Sequence, residues 1–387
     1  MLTPKSRTTV AATLPAVGAA VGEITTNFYG RLFAAHPALL TDLFNRGNQA
    51  NGDQPQALAG SIARFATALL ADPVVPPTRM LARIAHKHAS LGVAPELYPV
   101  VYDHLFGAIA EVLGEAVTPE VAEAWTEVYW LMANALIALE TDLYAAAAIK
   151  KQDVWRQLPV LERRDATADT VVFTVGPPVP SYLPGQYVSV QVPLPDGAQQ
   201  IRQYSLLDGP GSATYSFAVR RTGGEVSAYL HEEVAVGDTL RVSAPFGTVT
   251  LPEGDAPLVL ASAGIGITPM LSLLRHLAAT DAARPVTVLH GEQTAGAHAF
   301  RAELEALSND LPGLDIQVWY EEAPADWPAE RTGFVELDGL PIAAGTTAFL
   351  CGPFEFMQSV RTQLLEAGVA AADVHYEVFG PDTWLVN

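Results

Sequence analysis

Thiols are nearly absent: Cys351 is the one cysteine in 387 residues. That excludes an intrachain disulfide and any metal site built from thiolates alone, and it fits a reducing compartment. Basic residues are scarce too, with 22 Lys and Arg against 42 Asp and Glu for a formal charge of -20. Such a balance argues against nucleic acid or anionic membrane as a partner. No apolar run reaches the roughly eighteen uncharged residues of a membrane span. Repeats and low-complexity segments are also missing. What is there, 49 % hydrophobic residues, suffices for two or three domains with proper cores. The expectation is a cytoplasmic, monomeric protein working on small molecules, without nucleic acid and without stable membrane insertion.

Near the start, Lys5 and Arg7 ahead of an apolar run at 10–21 imitate a secretory signal. Periodicity favours a helix instead. Val10, Leu14, Val17, Val21, Ile24 and Phe28 recur at intervals of three and four through Glu23, as on one face of an amphipathic helix. Helical text continues at 56–71, 78–91, 95–113 and 119–144, broken by Pro and Gly clusters. No strand alternation interrupts it, so residues 1–149 read as an all-helical domain. The period changes around 145–152.

From there to residue 255, short strands at 158–163, 170–175, 187–192, 203–207, 214–219 and 239–243 are separated by Pro, Gly and Asp turns, which predicts an antiparallel barrel. Over 256–387, buried-type strands at 258–263, 286–291, 316–320 and 348–351 alternate with helices at 270–279, 299–307 and 354–367. That alternation predicts a doubly wound parallel α/β sheet. Residues 321–331 read as an exposed loop.

The most informative stretch is 80–98. His86 and His88 stand two residues apart, which on a helix turns them roughly 200° from each other. His88 shares its face with Leu81, Ile84 and Leu91, whereas His86 lies over Arg79, Ala82, Arg83 and Ser90. His88 is the inward one. On these residues alone, a satisfied core histidine is a commoner outcome than a metal ligand.

Two turns in the last third carry a second kind of chemistry. Gly264, Ile265, Gly266, Ile267, Thr268 and Pro269 follow a hydrophobic strand and open a helix read as starting at Met270. Glycines there let backbone N–H groups approach a diphosphate, and proline suits the first helical turn. The third glycine of the usual dinucleotide fingerprint is missing, and a tight turn of no function is the bland alternative. Cys351, Gly352 and Pro353 form a similar turn after another buried strand. In the barrel, the stretch 184–187 and Arg202, Gln203, Tyr204 and Ser205 pair aromatics with a cation at strand edges, as an isoalloxazine and its diphosphate require. The turn at 223–227, with Gly224, Val226 and Ser227, offers N–H groups to the same diphosphate.

Their order resembles the ferredoxin-reductase superfamily over 155–387, whose Arg-x-Tyr-Ser motif binds flavin and whose Gly-x-Gly-x-Thr-Pro and Cys-Gly-Pro turns hold a nicotinamide nucleotide. Residues 1–150 resemble a globin through Phe28-Tyr29, Phe44-Asn45, the run 48–54, Lys87-His88, Tyr98 and Glu140. The combination resembles the flavohaemoglobins, bacterial nitric oxide dioxygenases, over essentially the whole chain. That resemblance implies haem b, FAD and NADH or NADPH as cofactors. It makes His88 the proximal iron ligand supported by Tyr98 and Glu140, places Tyr29, Gln54 and Leu58 on the distal side, and has Phe44 wedge against the haem, with Lys87 among the cofactor contacts.

In the reductase half the resemblance implies Tyr187 and Arg202 to Ser205 on FAD. It places Glu377, Val378, Phe379, Gly380 and Pro381 beside the flavin. Val378 stands where better-known members carry cysteine, and the chain runs on through 382–387 with Trp384, a longer end than the short family form. Glu292 suits a ribose hydroxyl and Arg301 a 2′-phosphate, with NADH the preferred reading. The implied activity is conversion of NO to nitrate with O2, with hydride transfer to FAD and single electrons to haem. The alternatives are a reductase of external acceptors and an O2 or NO sensor or store.

Overall fold

A computed structural model describes residues 1–71, 77–177, 180–209 and 211–381. The extended end with Trp384 lies outside the described residues. The chain divides into two compact units: residues 1–155, 193–201 and 380–381 form one, and 156–192 and 202–379 the other. No helix among the described residues is long and apolar enough to cross a membrane.

The first unit is helical: α1 (Pro4–Ala35), α2 (Pro37–Asp42), α3 (Arg46–Ala50), α4 (Asp53–Leu70), α5 (Thr78–Leu91), α6 (Leu97–Leu113) and α7 (Pro119–Ala146). The two long helices start where the sequence offers a cap and a proline together. Thr3 accepts from the Ser6 N–H ahead of Pro4, and Thr118 from the Val121 N–H ahead of Pro119. The predicted stripe on α1 is the buried one, with Val10, Val17, Ile24, Phe28 and Leu32 in a core shared with Trp125, Val128 and Leu136 of α7. Helices α2 and α3 were not expected. At six and five residues they are too short to show a hydrophobic period.

The barrel comprises β1 (Trp155–Asp165), β2 (Thr170–Val175), β3 (Tyr187–Pro193), β4 (Gln199–Ser205), β5 (Tyr215–Arg220) and, after α8 (Glu225–Glu232), β6 (Thr239–Ser243). The strand order is β4-β3-β6-β1-β2-β5. An antiparallel bridge from Leu206 to Phe217 brings the end of β4 to β5. Residues 223–227 are a correction to the expected turn: Gly224 is the N-cap of α8, and Val226 and Leu230, four apart, are buried.

The last part holds β7 (Leu258–Ala263), α9 (Ile267–Thr280), β8 (Val286–Thr294), α10 (Arg301–Leu307), β9 (Leu314–Glu322), β10 (Thr347–Cys351), α11 (Phe354–Glu366) and β11 (Val374–Glu377). All strand pairs are parallel and the order is β11-β10-β7-β8-β9. The winding reverses between β7 and β10, so their carboxyl ends flank the crevice where such sheets bind ligands. The expected helical domain, antiparallel barrel and doubly wound sheet are all present.

Two buried imidazoles meet at a tilt on this sheet, one of them on β8 itself. His290 Nδ1 lies 2.9 Å from Ser262 Oγ and His298 Nδ1 2.8 Å from Tyr320 Oη, with ring centroids 4.4 Å apart. Burial pulls His298 down to about 4 and His290 well below its ordinary value, and each is lowered further by neighbouring positive charge. Both are neutral in the fold. An unfolded histidine takes up a proton near pH 6.5, so stability is complete above that value and falls as pH drops toward 4. Urea unfolding at pH 5 is expected to show a loss of at most about 2 kcal/mol per histidine relative to pH 7. His298→Phe should flatten that slope, and an unchanged slope would show that these rings do not set it.

Candidate functional site

Helix α5 ends at Gly92, whose φ of 73° is the left-handed cap that glycine adopts at low cost. Its final carbonyls are unusually well covered. Ser90 Oγ donates to Lys87 O at 2.8 Å, Tyr144 Oη to Ala89 O at 3.1 Å and Trp155 Nε1 to Leu91 O at 3.2 Å. The last turn, which carries His88, is therefore pinned from α7 and from Trp155.

His88 meets the two residues that the family resemblance set beside it. Its Nδ1 lies 2.9 Å from Glu140 Oε1 and 3.1 Å from Tyr98 Oη, and Tyr98 donates to the same Glu140 oxygen at 2.6 Å. Glu140 is 3 % exposed. Burial, and next the Glu140 charge, push the Tyr98 phenol up, so it stays protonated and acts as a donor. Tyr129 Oη in turn donates to the Tyr98 carbonyl at 2.6 Å. A carboxylate against Nδ1 places the ring hydrogen there, leaving the Nε2 lone pair for a metal. Among the described residues no three His, Cys, Asp or Glu side chains converge on a metal position. A metal bound by His88 would thus bring most of its other ligands with it, as a porphyrin does. His86 is half-buried, and burial lowers it to about 4.

On α1, Tyr29 is 6 % exposed, edge-on to Phe44 at 5.8 Å and stacked on Phe33 at 5.5 Å. Burial raises its phenol, and the side chains of Gln54 and Gln49 hydrogen-bond to it. Leu58 and Phe44 pack against the same core. A protonated phenol among apolar groups, in the unit that holds an imidazole with a free Nε2, is a donor set that fits haem. Lys87 Nζ donates to Gly380 O at 3.2 Å, which brings two predicted residues together.

In the second unit, Tyr204 stacks on Phe217 at 5.4 Å and Gln203 Nε2 donates to Ser189 Oγ at 3.0 Å. Ser205 Oγ is buried and has no partner among the described residues. An orphaned hydroxyl at the end of a flavin-type motif fits a bound cofactor. Tyr187 is 7 % exposed, with backbone bonds to Phe246. Arg202 lies half-buried on β4. Gly224 caps α8, Val226 is buried beneath it, and Ser227 Oγ donates to Gly224 O at 2.9 Å.

The two nucleotide-type turns meet at the switch point. Gly264, Ile265 and Gly266 form a 3₁₀ turn, and α9 starts at Ile267, not at Met270. Thr268 and Pro269 therefore lie inside its first turn, with Thr268 Oγ1 donating to Ile265 O at 2.9 Å. A Cβ on Gly266 would stand 2.2 Å from Cys351 O, so that turn rests directly on the Cys351-Gly352-Pro353 turn. Burial raises the Cys351 thiol well above its ordinary value. Glu377 closes β11, Val378 follows, and Phe379 is 45 % exposed. Pro381, the last described residue, is buried.

Sequence reasoning missed several supports. Gln49, Tyr129, Tyr144 and Trp155 reach their partners only through the tertiary fold. Glu292, read as facing a ribose, is buried with Arg220 3.4 Å away, and Arg220 also donates to Asp169 at 2.9 Å. Arg301 is paired to Glu305 at 2.8 Å. The Arg-Arg pair at 220–221, closing a strand, was the available signal.

Family models match three stretches: a globin over residues 26–136, an oxidoreductase FAD-binding domain over 157–251 and an oxidoreductase NAD-binding domain over 260–362. The flavohemoprotein of Bordetella parapertussis is 40 % identical over 400 residues, covering 98 % of this chain and 99 % of its own length. Among solved structures, flavohemoglobin from Malassezia yamatoensis with bound FAD and heme is 38 % identical with a TM-score of 0.90, over 98 % of this chain and 100 % of its own. The flavohem-like FAD/NAD-binding domain of nitric oxide dioxygenase from Vibrio cholerae is 37 % identical with a TM-score of 0.54, over 58 % and 99 % of the two chains.

Proposed function

The chain belongs to the flavohemoprotein family, an oxidoreductase class, and on that footing we propose that it converts nitric oxide to nitrate at the expense of O2 and a nicotinamide nucleotide. The overall balance is two NO, two O2 and one NAD(P)H giving two nitrates, NAD(P)+ and one proton. When bound, haem b and FAD would supply oxygen activation, hydride acceptance and one-electron transfer, which no side chain here provides.

The observation that carries this reading is the Glu140–Tyr98–His88 set. Glu140 accepts from His88 Nδ1 and Tyr98 Oη through one oxygen. A carboxylate behind the ring makes Nε2 more basic and fixes its plane, so the imidazole is a strong electron donor to a metal. Tyr29 holds its proton because burial disfavours the phenolate, and it would offer one hydrogen-bond donor on the distal side. Gln54 and Gln49 orient that hydroxyl, while Phe44 and Leu58 keep water away from it. Arg202, Tyr204 and Ser205 would hold the flavin with Tyr187, and the N–H groups at Gly224, Val226 and Ser227 its diphosphate. Gly264 to Pro269 and Cys351 to Pro353 would cradle the nicotinamide nucleotide at the switch point, with Glu377, Val378 and Phe379 of the same unit beside it.

The test is stoichiometric. Purified holoprotein given NADH, O2 and pulses of NO is expected to consume NO, O2 and NADH at 2:2:1 and to release nitrate. Consumption of NADH and O2 at a rate indifferent to NO would refute the dioxygenase reading.

A further inference from the structure

We propose that Gln200 is a positioning residue for the oxygen side of the haem pocket, acting through the corner between α2 and α3 that carries Phe44. The inference rests on the functional reading above. Its starting point is that α2 and α3, at six and five residues, cannot satisfy their own ends. Part of the corner is covered locally. Leu43 and Phe44 N–H groups donate to Leu39 O at 3.0 and 2.9 Å, and Asn45 Oδ1 accepts from Gly47 N at 2.9 Å and Asn48 N at 3.3 Å.

What remains is covered by one side chain about 155 positions further along the chain. Gln200 Nε2 donates to Thr41 O at 3.0 Å and lies 3.3 Å from Phe44 O and 3.4 Å from Leu40 O. Its Oε1 accepts from Arg46 N at 3.2 Å. Donors and acceptors along the corner fix the amide in one orientation. Gln200 is 0 % exposed, in a segment that the Arg46–Asp196 ion pair also ties to this corner. Three carbonyls and one N–H of this half-buried corner lie within hydrogen-bond reach of it, its two N–H groups serving two carbonyls at a time, and losing those partners costs free energy wherever the freed group is shielded from water.

The corner matters because Phe44 leaves from it. Its ring is edge-on to Tyr29 at 5.8 Å and to Phe33 at 5.4 Å. A shift of the Phe44 backbone therefore moves the wall against which the Tyr29 phenol is oriented. The hydrogen bonds of Gln200 go to the backbone of residues 40, 41, 44 and 46 and not to Tyr29, so it acts by placement.

The experiment compares Gln200→Leu, Phe44→Ala and the double variant in haem-loaded full-length protein. Two readouts are taken besides turnover: the rate of haem loss to an apoglobin acceptor, and the carbonyl stretching band of the CO-bound ferrous form, which senses the donor opposite the imidazole. Gln200→Leu is expected to speed haem loss by about tenfold, near 1.4 kcal/mol, and to shift or split the CO band. In the Phe44→Ala background the same change should add little, because residues acting through one contact are non-additive.

Wild-type behaviour of Gln200→Leu in both readouts, or full additivity with Phe44→Ala, would overturn the proposal. Should Gln200→Leu not fold, Gln200→Glu is read the same way, since it keeps the acceptor for Arg46 N and loses only the donors. A wild-type protein that retained no haem would sink the functional reading itself. Haem-loaded, NO-consuming wild type with an inert Gln200→Leu would sink only the present inference.

Discussion

His88→Ala is expected to yield a protein without a Soret band, with nitric oxide consumption down by more than roughly a hundredfold and NADH-driven dye reduction within about twofold of wild type. The size of the effect follows from the geometry. Supporting groups behind a ligating histidine are worth about 10- to 100-fold in such sites, and removal of the ligand itself must exceed that. No other cluster among the described residues could take over. The substitution also leaves Glu140, 3 % exposed, with Tyr98 as its only remaining partner from the set. That loss is worth about 1–3 kcal/mol. Adding imidazole should restore part of the Soret band if the defect is in ligation. A His88→Ala protein that kept its haem and its NO consumption would remove His88 from the mechanism. Unchanged turnover with some other physiological acceptor would favour a reductase of external acceptors.

Gly266→Ala is expected to raise the KM for NADH by more than about tenfold and to lower stability by about 1–3 kcal/mol, while the haem spectrum stays unchanged. The new Cβ would meet Cys351 O at 2.2 Å, Cys351 C at 2.6 Å and Gly352 N at 3.0 Å. These are backbone atoms of a buried strand end, so no rotamer change relieves the collision and the two turns must part. Both line the crevice at the switch point, and on the reading proposed above parting them would disturb the N–H groups offered to a diphosphate. Gly18→Ala is the control. It lies in α1 with nothing within 4 Å of its added Cβ, and should be neutral or slightly stabilising. A wild-type KM in Gly266→Ala would show that the nucleotide does not depend on this contact.

Legibility from the sequence tracked the range of the interaction. The stripe on α1 and the strands β7, β8 and β10 are periodic over many residues and were readable at once, whereas the face rule that favoured His88 did not foresee that His86 would be half-buried as well. Pairing His88 with Tyr98 and Glu140 needed the family resemblance, because offsets of 10 and 52 residues carry no local signal. Short pieces failed for want of a period: α2, α3, and β11 at four residues. Helix α8 was hidden by the glycines before it, although Val226 and Leu230 marked its buried face. Proline in Gly264–Pro269 pulled the expected start of α9 three residues late, since proline fits anywhere in a first turn. Gln200 was invisible, because an amide becomes a cap only once the fold brings orphaned carbonyls to it.

The burial of Cys351 bears on self-damage. The activity proposed above would place the protein amid nitrosating species, and thiolates are their usual protein targets. Here the one thiol in the chain is 0 % exposed and held protonated far above neutral pH, with a carboxylate at Glu377 adding to the effect of burial. In the tail, half-buried Val378 brings no second thiol. The folded chain thus offers nitrosating species no accessible thiol, and S-nitrosation would have to await opening of the carboxyl end of β10, a strand held between β11 and β7.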